Sequence, residues 1–226
     1  FKLIILPRTK AGLGRAGLRQ HLEQVHGPLV MAHPEASGVF LSYVHHYTLD
    51  EGPAPFGETL LAERDAVTII RFASPADIAA SKGSAAYRDL IGPDEDNFRD
   101  LAGSVALRGE EVVIVPDAAD ASRKLFLFAA DAADRARRLA TLAALPGIGG
   151  LTHNAVHPLE GEWPFAAIDE VALLPGADEA ALAADGELLS RIWVRDQLSN
   201  TARSNSGMDE MASARGVGIL PQQAIH

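Results

Sequence analysis

"KLIILPR", residues 2–8, decides how the rest of the chain is read. It is a short apolar run closed off by a proline, with large residues at both parities: Leu3 and Ile5 on one side, Ile4 and Leu6 on the other. A strand with one wet face alternates apolar and polar residues, so this run predicts a strand buried on both faces. Downstream, "GRAGLRQHLEQVHGPLV" (14–30) sets Leu18, Leu22, Val25 and Leu29 on one helical stripe. "VFLSYVHHYTLDEG" (39–52) and "DAVTIIRFAS" (65–74) are rich in β-branched and aromatic residues and read as strands. "SPADIAASKGSAAYRDL" (74–90) and "PDEDNFRDLAG" (93–103) read as helices with Ser74 and Asp94 as N-terminal caps, and "GEEVVIVPD" (109–117) as a closing strand. Strand, helix, strand, strand, helix, strand is the split βαβ, or ferredoxin-like, order.

The pattern then restarts. "KLFLFAAD" (124–131) echoes "KLIILPR" 122 residues later, and "AADRARRLATLAALPG" (132–147) offers a helix with Ala132, Ala136, Leu139 and Ala143 on one face. "GGLTHNAVHPLE" (149–160) parallels the second strand, "AAIDEVALLPGADEAALAAD" (166–185) parallels the third strand and its helix, and "SRIWVRDQL" (190–198) supplies a last strand. The order holds while the offset shrinks, which predicts an internal repeat whose second copy has lost loop material. The fold expected is therefore α+β: two ferredoxin-like repeats, 1–117 and 122–200, whose antiparallel sheets come together as an α+β barrel, with 201–226 as a surface tail. The missing loops place any working site in the first copy.

Composition narrows the function classes. The chain has 226 residues, no cysteine and a formal net charge of −10. Disulfides and thiolate metal sites are thereby excluded, and a phosphate-binding face, which needs clustered Lys and Arg, is disfavoured. "RARR" (135–138) reads as a solvated helix face. No run approaches the ~18 apolar residues of a membrane span. The expectation is a cytoplasmic protein with no nucleic-acid or membrane partner, able to exist as a homodimer. No histidine pair has helical ligand spacing beside a carboxylate, so no metal is expected. Residues 12–17 spell G-x-G-x-x-G, yet without the acidic residue at a second strand's end that dinucleotide binding requires.

The opening up to "HGPLV", followed by "SAAY", "GPDEDNF" and "EEVVIV", resembles the EthD family of the dimeric α+β barrel superfamily over roughly residues 1–117. "HGPLV" together with "PDEDNF" is the most specific part, and the second half resembles only the superfamily. The resemblance implies sheets packed face to face, which gives the first strand its two buried sides, and a superfamily that includes cofactor-free isomerases, cyclases, dehydratases and monooxygenases as well as haem enzymes. It does not name a reaction.

Among the candidate site residues His26 comes first, four positions after Leu22, with Gly27 and Pro28 behind it. Gly27 offers a helix-ending conformation and Pro28 forbids continuation, so the helix is expected to stop there and its dipole to favour a protonated His26. A histidine that merely satisfies terminal carbonyls has the same sequence signature; the resemblance favours the functional one. Tyr43, His45 and Tyr47 alternate along one face of the second strand, while His46 points to the other. Arg71 interrupts an apolar strand and needs either a ligand's negative charge or a neighbouring carboxylate. Tyr87 closes the pocket or belongs to the core, and His33 precedes Pro34 in a loop that leans over the site. Asp94 and Glu95 are assigned to structure. The reading is a cofactor-independent enzyme acting on a small hydrophobic, aromatic or carbonyl-bearing substrate by isomerase- or lyase-type proton transfer. His26 is the general acid or base, His45 its relay, Tyr43 and Tyr47 orienting donors and Arg71 the charge stabiliser. A non-catalytic accessory binder and a haem protein are the alternatives.

Overall fold

The computed structural model describes residues 1–48, 64–121, 123–130, 135–177 and 190–197; for 190–197 and Ala136 it gives backbone only. The expected tail 201–226 and the helix expected beyond residue 177 lie outside these residues. The fold is α+β, a large, curled antiparallel sheet with helices on its outer face. Its strands are β1 (Lys2–Thr9), β2 (Phe40–Thr48), β3 (Ala66–Phe72), β4 (Arg99–Val115), β5 (Arg123–Ala129), β6 (Ile148–Pro158), β7 (Ala167–Leu173) and β8 (Ser190–Gln197). They neighbour one another in the order β1-β3-β2-β8-β5-β7-β6-β4, and β4 pairs again with β1. Within the first half β1 pairs with β3 and β4, and β2 with β3. In the second, β5 pairs with β7 and β8, and β6 with β7. The halves join through β2 with β8 and β4 with β6.

β1 is buried on both sides, as its sequence demands. Ile4 and Leu6 enter a core inside the curl with Val67, Ile69, Phe126 and Phe128, so strands of both halves supply it. Leu3 joins Phe40, Tyr43, Ile70 and Phe72 in a second core beneath the helices. Pro7 has no amide hydrogen to give the ladder, and the β1–β4 register shifts between Leu6 and Arg8. Toward the other end the interior turns polar. Lys2 Nζ lies 2.5 Å from Glu170 Oε1 and 3.1 Å from Glu111 Oε2, and Lys124 Nζ lies 3.2 Å from Glu170 Oε2. Two lysines hold the buried Glu170 carboxyl far below its ordinary range against the opposing effect of burial.

Two expectations about the helices need correction. The first helix does not end at His26. α1 (Gly14–His21) continues without a break through a π turn (Leu22–His26) into α2 (Gly27–Met31). Pro28 cannot donate to the carbonyl four residues back, and the Gly27 amide bonds instead to Leu22, five residues back. Gly27 keeps right-handed helical angles (φ −58°), and a Cβ there would stand 2.7 Å from the Leu22 carbonyl oxygen. The inserted residue rotates the buried stripe: Leu18, Leu22, His26 and Val30 are buried, while Val25 is exposed. Second, "PDEDNFRDLAG" is helical only up to Glu95, in α5 (Gly92–Glu95); from Arg99 the chain is β4, which runs 17 residues. Its first part is the edge partner β1 requires, and that pairing overrides the local helical pattern.

α3 (Pro34–Ser37) follows α2, and the cap expected at Ser74 opens α4 (Pro75–Gly83) as a capping box with Asp77. A second π turn (Tyr87–Ile91) leads into α5, and it too ends in Gly-Pro: the Gly92 amide bonds to Tyr87. In the second half, α6 (Arg135–Ala144) buries Leu139 and Leu142 rather than an alanine stripe, and Ala143 is exposed. Nor is "RARR" wholly solvated, because Arg138 Nε bonds to the buried Asp169 carboxylate at 2.9 Å.

Candidate active site

A cavity lies between β1–β3 and the helices of the first half, lined by His26, Tyr43, His45, Tyr87 and Glu95 among mostly apolar side chains. Its free space is ≈ 70 Å³. On the measure in which one water needs about 10–15 Å³, that is room for about five waters, the bulk of one small ring.

His26 reaches it because of the π turn. Nδ1 lies 2.9 Å from Asp94 Oδ2, and the ring rests on Phe98 with centroids 4.8 Å apart. A carboxylate only accepts, so Nδ1 carries the proton and the second ring nitrogen, Nε2, is left with a lone pair. Burial lowers the His26 pKa below 6.5, outweighing the opposing pull of Asp94 and Glu95. Asp94 also accepts from His21 Nε2 at 3.1 Å and from Asn97 Nδ2 at 3.0 Å. Burial works against its charge, yet these bonds keep its carboxyl below the usual range. Both jaws of the site thus rest on the same local device, a π turn closed by Gly-Pro. One presents His26; the other sets Asp94 opposite it and Glu95 beneath Tyr87, whose hydroxyl donates to Glu95 Oε1 at 3.1 Å.

His45 is fully buried. Its Nδ1 lies 2.8 Å from Thr68 Oγ1, its cross-strand neighbour, while Nε2 has no hydrogen-bond partner. Burial, with the neighbouring His26 and His46, pushes its pKa down to about 3, so the ring is neutral at physiological pH. Gly27 stands close by: a Cβ on it would be 3.8 Å from His45 Nε2. Tyr43 packs edge-on to His45 at 4.6 Å, and its hydroxyl pKa is raised chiefly by burial.

The shared face of Tyr43, His45 and Tyr47 is present, but only the first two line the cavity. Tyr47 lies beyond it beneath the Arg19 guanidinium, 5.1 Å from the ring centroid, in a core with Leu18, Leu22 and Phe98. His46 takes the inner face, 5.3 Å from Phe126. Arg71 also lies outside the cavity, at the polar end of the curl, where Nε and Nη2 both bond to Glu111. The carboxylate pairing is thus the one present. His33 caps α3, 3.4 Å from Glu35, and does not touch the cavity. Asp94, expected as a helix cap, is instead a residue inside α5, joined to His26 across 68 positions, a distance no local pattern signals. Among the described residues no cluster of His, Asp and Glu is arranged to hold a metal ion, and no helix is long and apolar enough to cross a membrane.

The second half carries a related pair at the matching register. His153 on β6 faces Asp169 on β7 as His45 faces Thr68, with Nδ1 and Oδ1 2.6 Å apart, and Arg138 occupies the other carboxylate oxygen.

Residues 10–102 match the EthD domain, a stretch that contains His26, His45 and Asp94. Among solved structures the chain is similar to an anthrone oxidase-like protein, with 14% identity, TM-score 0.53, and coverage of 89% of this chain and 94% of that one. A protein of Fusobacterium nucleatum assigned provisionally as a monooxygenase aligns at 6% identity and TM-score 0.47, covering 88% of this chain and 93% of the other. No curated protein matches the sequence. At 14% identity the likeness to the first of these speaks for the fold alone.

Proposed function

We propose that this protein is an enzyme of small-molecule metabolism that moves a proton with His26. The observation that carries the proposal is the Asp94–His26 contact at the wall of an apolar cavity. Asp94 fixes the tautomer, burial keeps the ring neutral, and the free Nε2 is a base able to take a proton from a guest in the cavity. His45, also neutral and with Nε2 unpartnered, is the second polar contact that orients the guest or passes the proton on. Tyr43 and Tyr87 complete the polar part of an otherwise carbon-lined wall, as small-molecule sites require. The cavity's size favours a single-ring or comparably small carbonyl compound. Isomerisation, dehydration and lyase cleavage all begin with the step assigned to His26.

We also read residues 1–117 and 122–200 as tandem copies that together close a barrel. The identical pairing pattern of the two halves and the matching His–Thr and His–Asp positions support this reading. On it, the second copy has given its site to Arg138, and the first alone is active.

The test is solvent exchange. Cyclohexanone, acetophenone and phenylacetone are incubated in D₂O buffer with wild type and with His26→Ala, and deuterium uptake beside the carbonyl is followed by proton NMR. Exchange above background with wild type, abolished in the variant, is expected for at least one compound. Binding with no exchange in either protein indicates a carrier rather than an enzyme.

A further inference from the structure

The lining of the cavity carries one more cation than carboxylate. Among its lining residues Lys82, Arg99 and Glu95 carry formal charge, while His45 is neutral and burial holds His26 toward its neutral form. Both oxygens of Glu95 are engaged: Oε1 by the Tyr87 hydroxyl, and Oε2 by Arg99 Nη2 in an ion pair. Asp94 is committed to His26, His21 and Asn97. Among the described residues no side chain makes a hydrogen bond or ion pair with Lys82, and Glu160 is the further carboxylate that acts on the neighbouring Tyr87. Lys82 stands in the last turn of α4, half-buried, with its ammonium 5.8 Å from the centre of the Tyr87 ring. That is near the outer limit of about 6 Å for a cation over an aromatic face. An aromatic face attracts the charge but leaves the three ammonium donors without a strong acceptor. Among the described residues no carboxylate lies within ion-pair distance of it. On the same wall Arg99 Nε is buried and has no acceptor.

A helix C-terminus does favour a basic residue, but a lysine turned to solvent meets that preference without lining a cavity. Here the Lys82 cation borders a carbon-walled space, with the Arg99 side chain also in its lining, and attraction to an anion there is little screened.

We infer that the guest of this cavity is an acid, carrying a carboxylate or an oxygen of similar acidity that Lys82 holds with help from Arg99. The inference rests on the proposed reading of the cavity as a small-molecule site. An acidic group anchored at Lys82 leaves the rest of a small ring to face the histidines, so the substrate class narrows to aryl or cyclic carboxylic acids and acidic enols.

The experiment uses benzoate and its uncharged isostere benzamide as probes, titrated at neutral pH against ¹⁵N-labelled protein, with the His26 and His45 ring signals as the reporters of place. Benzoate is expected to bind about tenfold or more tightly than benzamide, the range of one charge-assisted contact. Lys82→Met brings benzoate down to the benzamide level and leaves benzamide unchanged; Lys82→Gln gives a second variant with the same expectation. Glu95→Gln, which releases Arg99, raises the benzoate preference. Equal binding of the two probes, or an equal loss of both in Lys82→Met, overturns the inference and leaves the cavity reading standing. If neither probe moves either histidine signal, the reading and the inference fall together.

Discussion

Replacing Asp94 by asparagine removes the charge that faces His26 and keeps the shape. The contact is 2.9 Å, with only 9% of the His26 side chain and 11% of the Asp94 side chain exposed, so solvent screens it weakly. A hydrogen bond to a charged group contributes about 1.5–3 kcal/mol, and its loss should lower the His26 pKa further. The sign follows from the competing causes. Burial already holds the pKa below 6.5, and Asp94 is among the groups that resist it; without the carboxylate, burial acts with less opposition. The asparagine can also present its amide nitrogen to Nδ1, which would invert the tautomer and take the lone pair away from Nε2. Turnover on any substrate found by the exchange screen should fall about 10²–10⁴-fold, the range for a general base. The assay is a proton NMR titration of the His26 ring in both proteins, with exchange rates measured in parallel. A His26 pKa unchanged in Asp94→Asn, or a variant that exchanges at the wild-type rate, would refute the assignment of Asp94.

Three other outcomes are expected. Gly27→Ala, which would stabilise an ordinary helix by about 1 kcal/mol, should instead destabilise by about 1–3 kcal/mol in urea unfolding, because the new Cβ meets the Leu22 carbonyl at 2.7 Å. His45→Gln should flatten the acid side of the stability curve. The folded pKa of about 3 lies below the unfolded 6.5, so the unfolded chain binds the extra proton as pH falls between those values. The wild-type slope there should exceed that of the variant by about 1.4 kcal/mol per pH unit. Lys2→Met should cost about 3 kcal/mol by stranding part of the Glu170 charge, and adding Glu170→Leu should recover most of that loss, both read as urea midpoints.

Strands were the legible part of the sequence. The doubly apolar "KLIILPR" and "KLFLFAAD", and the alternation of Tyr43, His45 and Tyr47, place their residues on the faces they occupy, because a period of two survives whatever the strand pairs with. The helix around His26 was legible only in part. Gly-Pro behind an apolar stripe signals both a helix end and a π turn, and local pattern cannot separate the two. The recurrence of Gly-Pro at 27–28 and 92–93, each inside an otherwise helical stretch, was the available sign. β4 reaches beyond its local strand pattern for a different reason: "RDLAGSVAL" gains its extended form from β1, about a hundred positions away. The partners of Arg71 and Asp94 are equally remote: Glu111 and His26 lie 40 and 68 positions from them, and no spacing rule reaches so far.

The ¹⁵N spectrum of the His26 ring at pH 7 reads directly whether His26 is a neutral base held by Asp94. A neutral imidazole with the proton on Nδ1 and a bare Nε2 is expected, a state that Asp94→Asn disturbs. A doubly protonated ring, or one carrying its proton on Nε2 in the wild type, would contradict it.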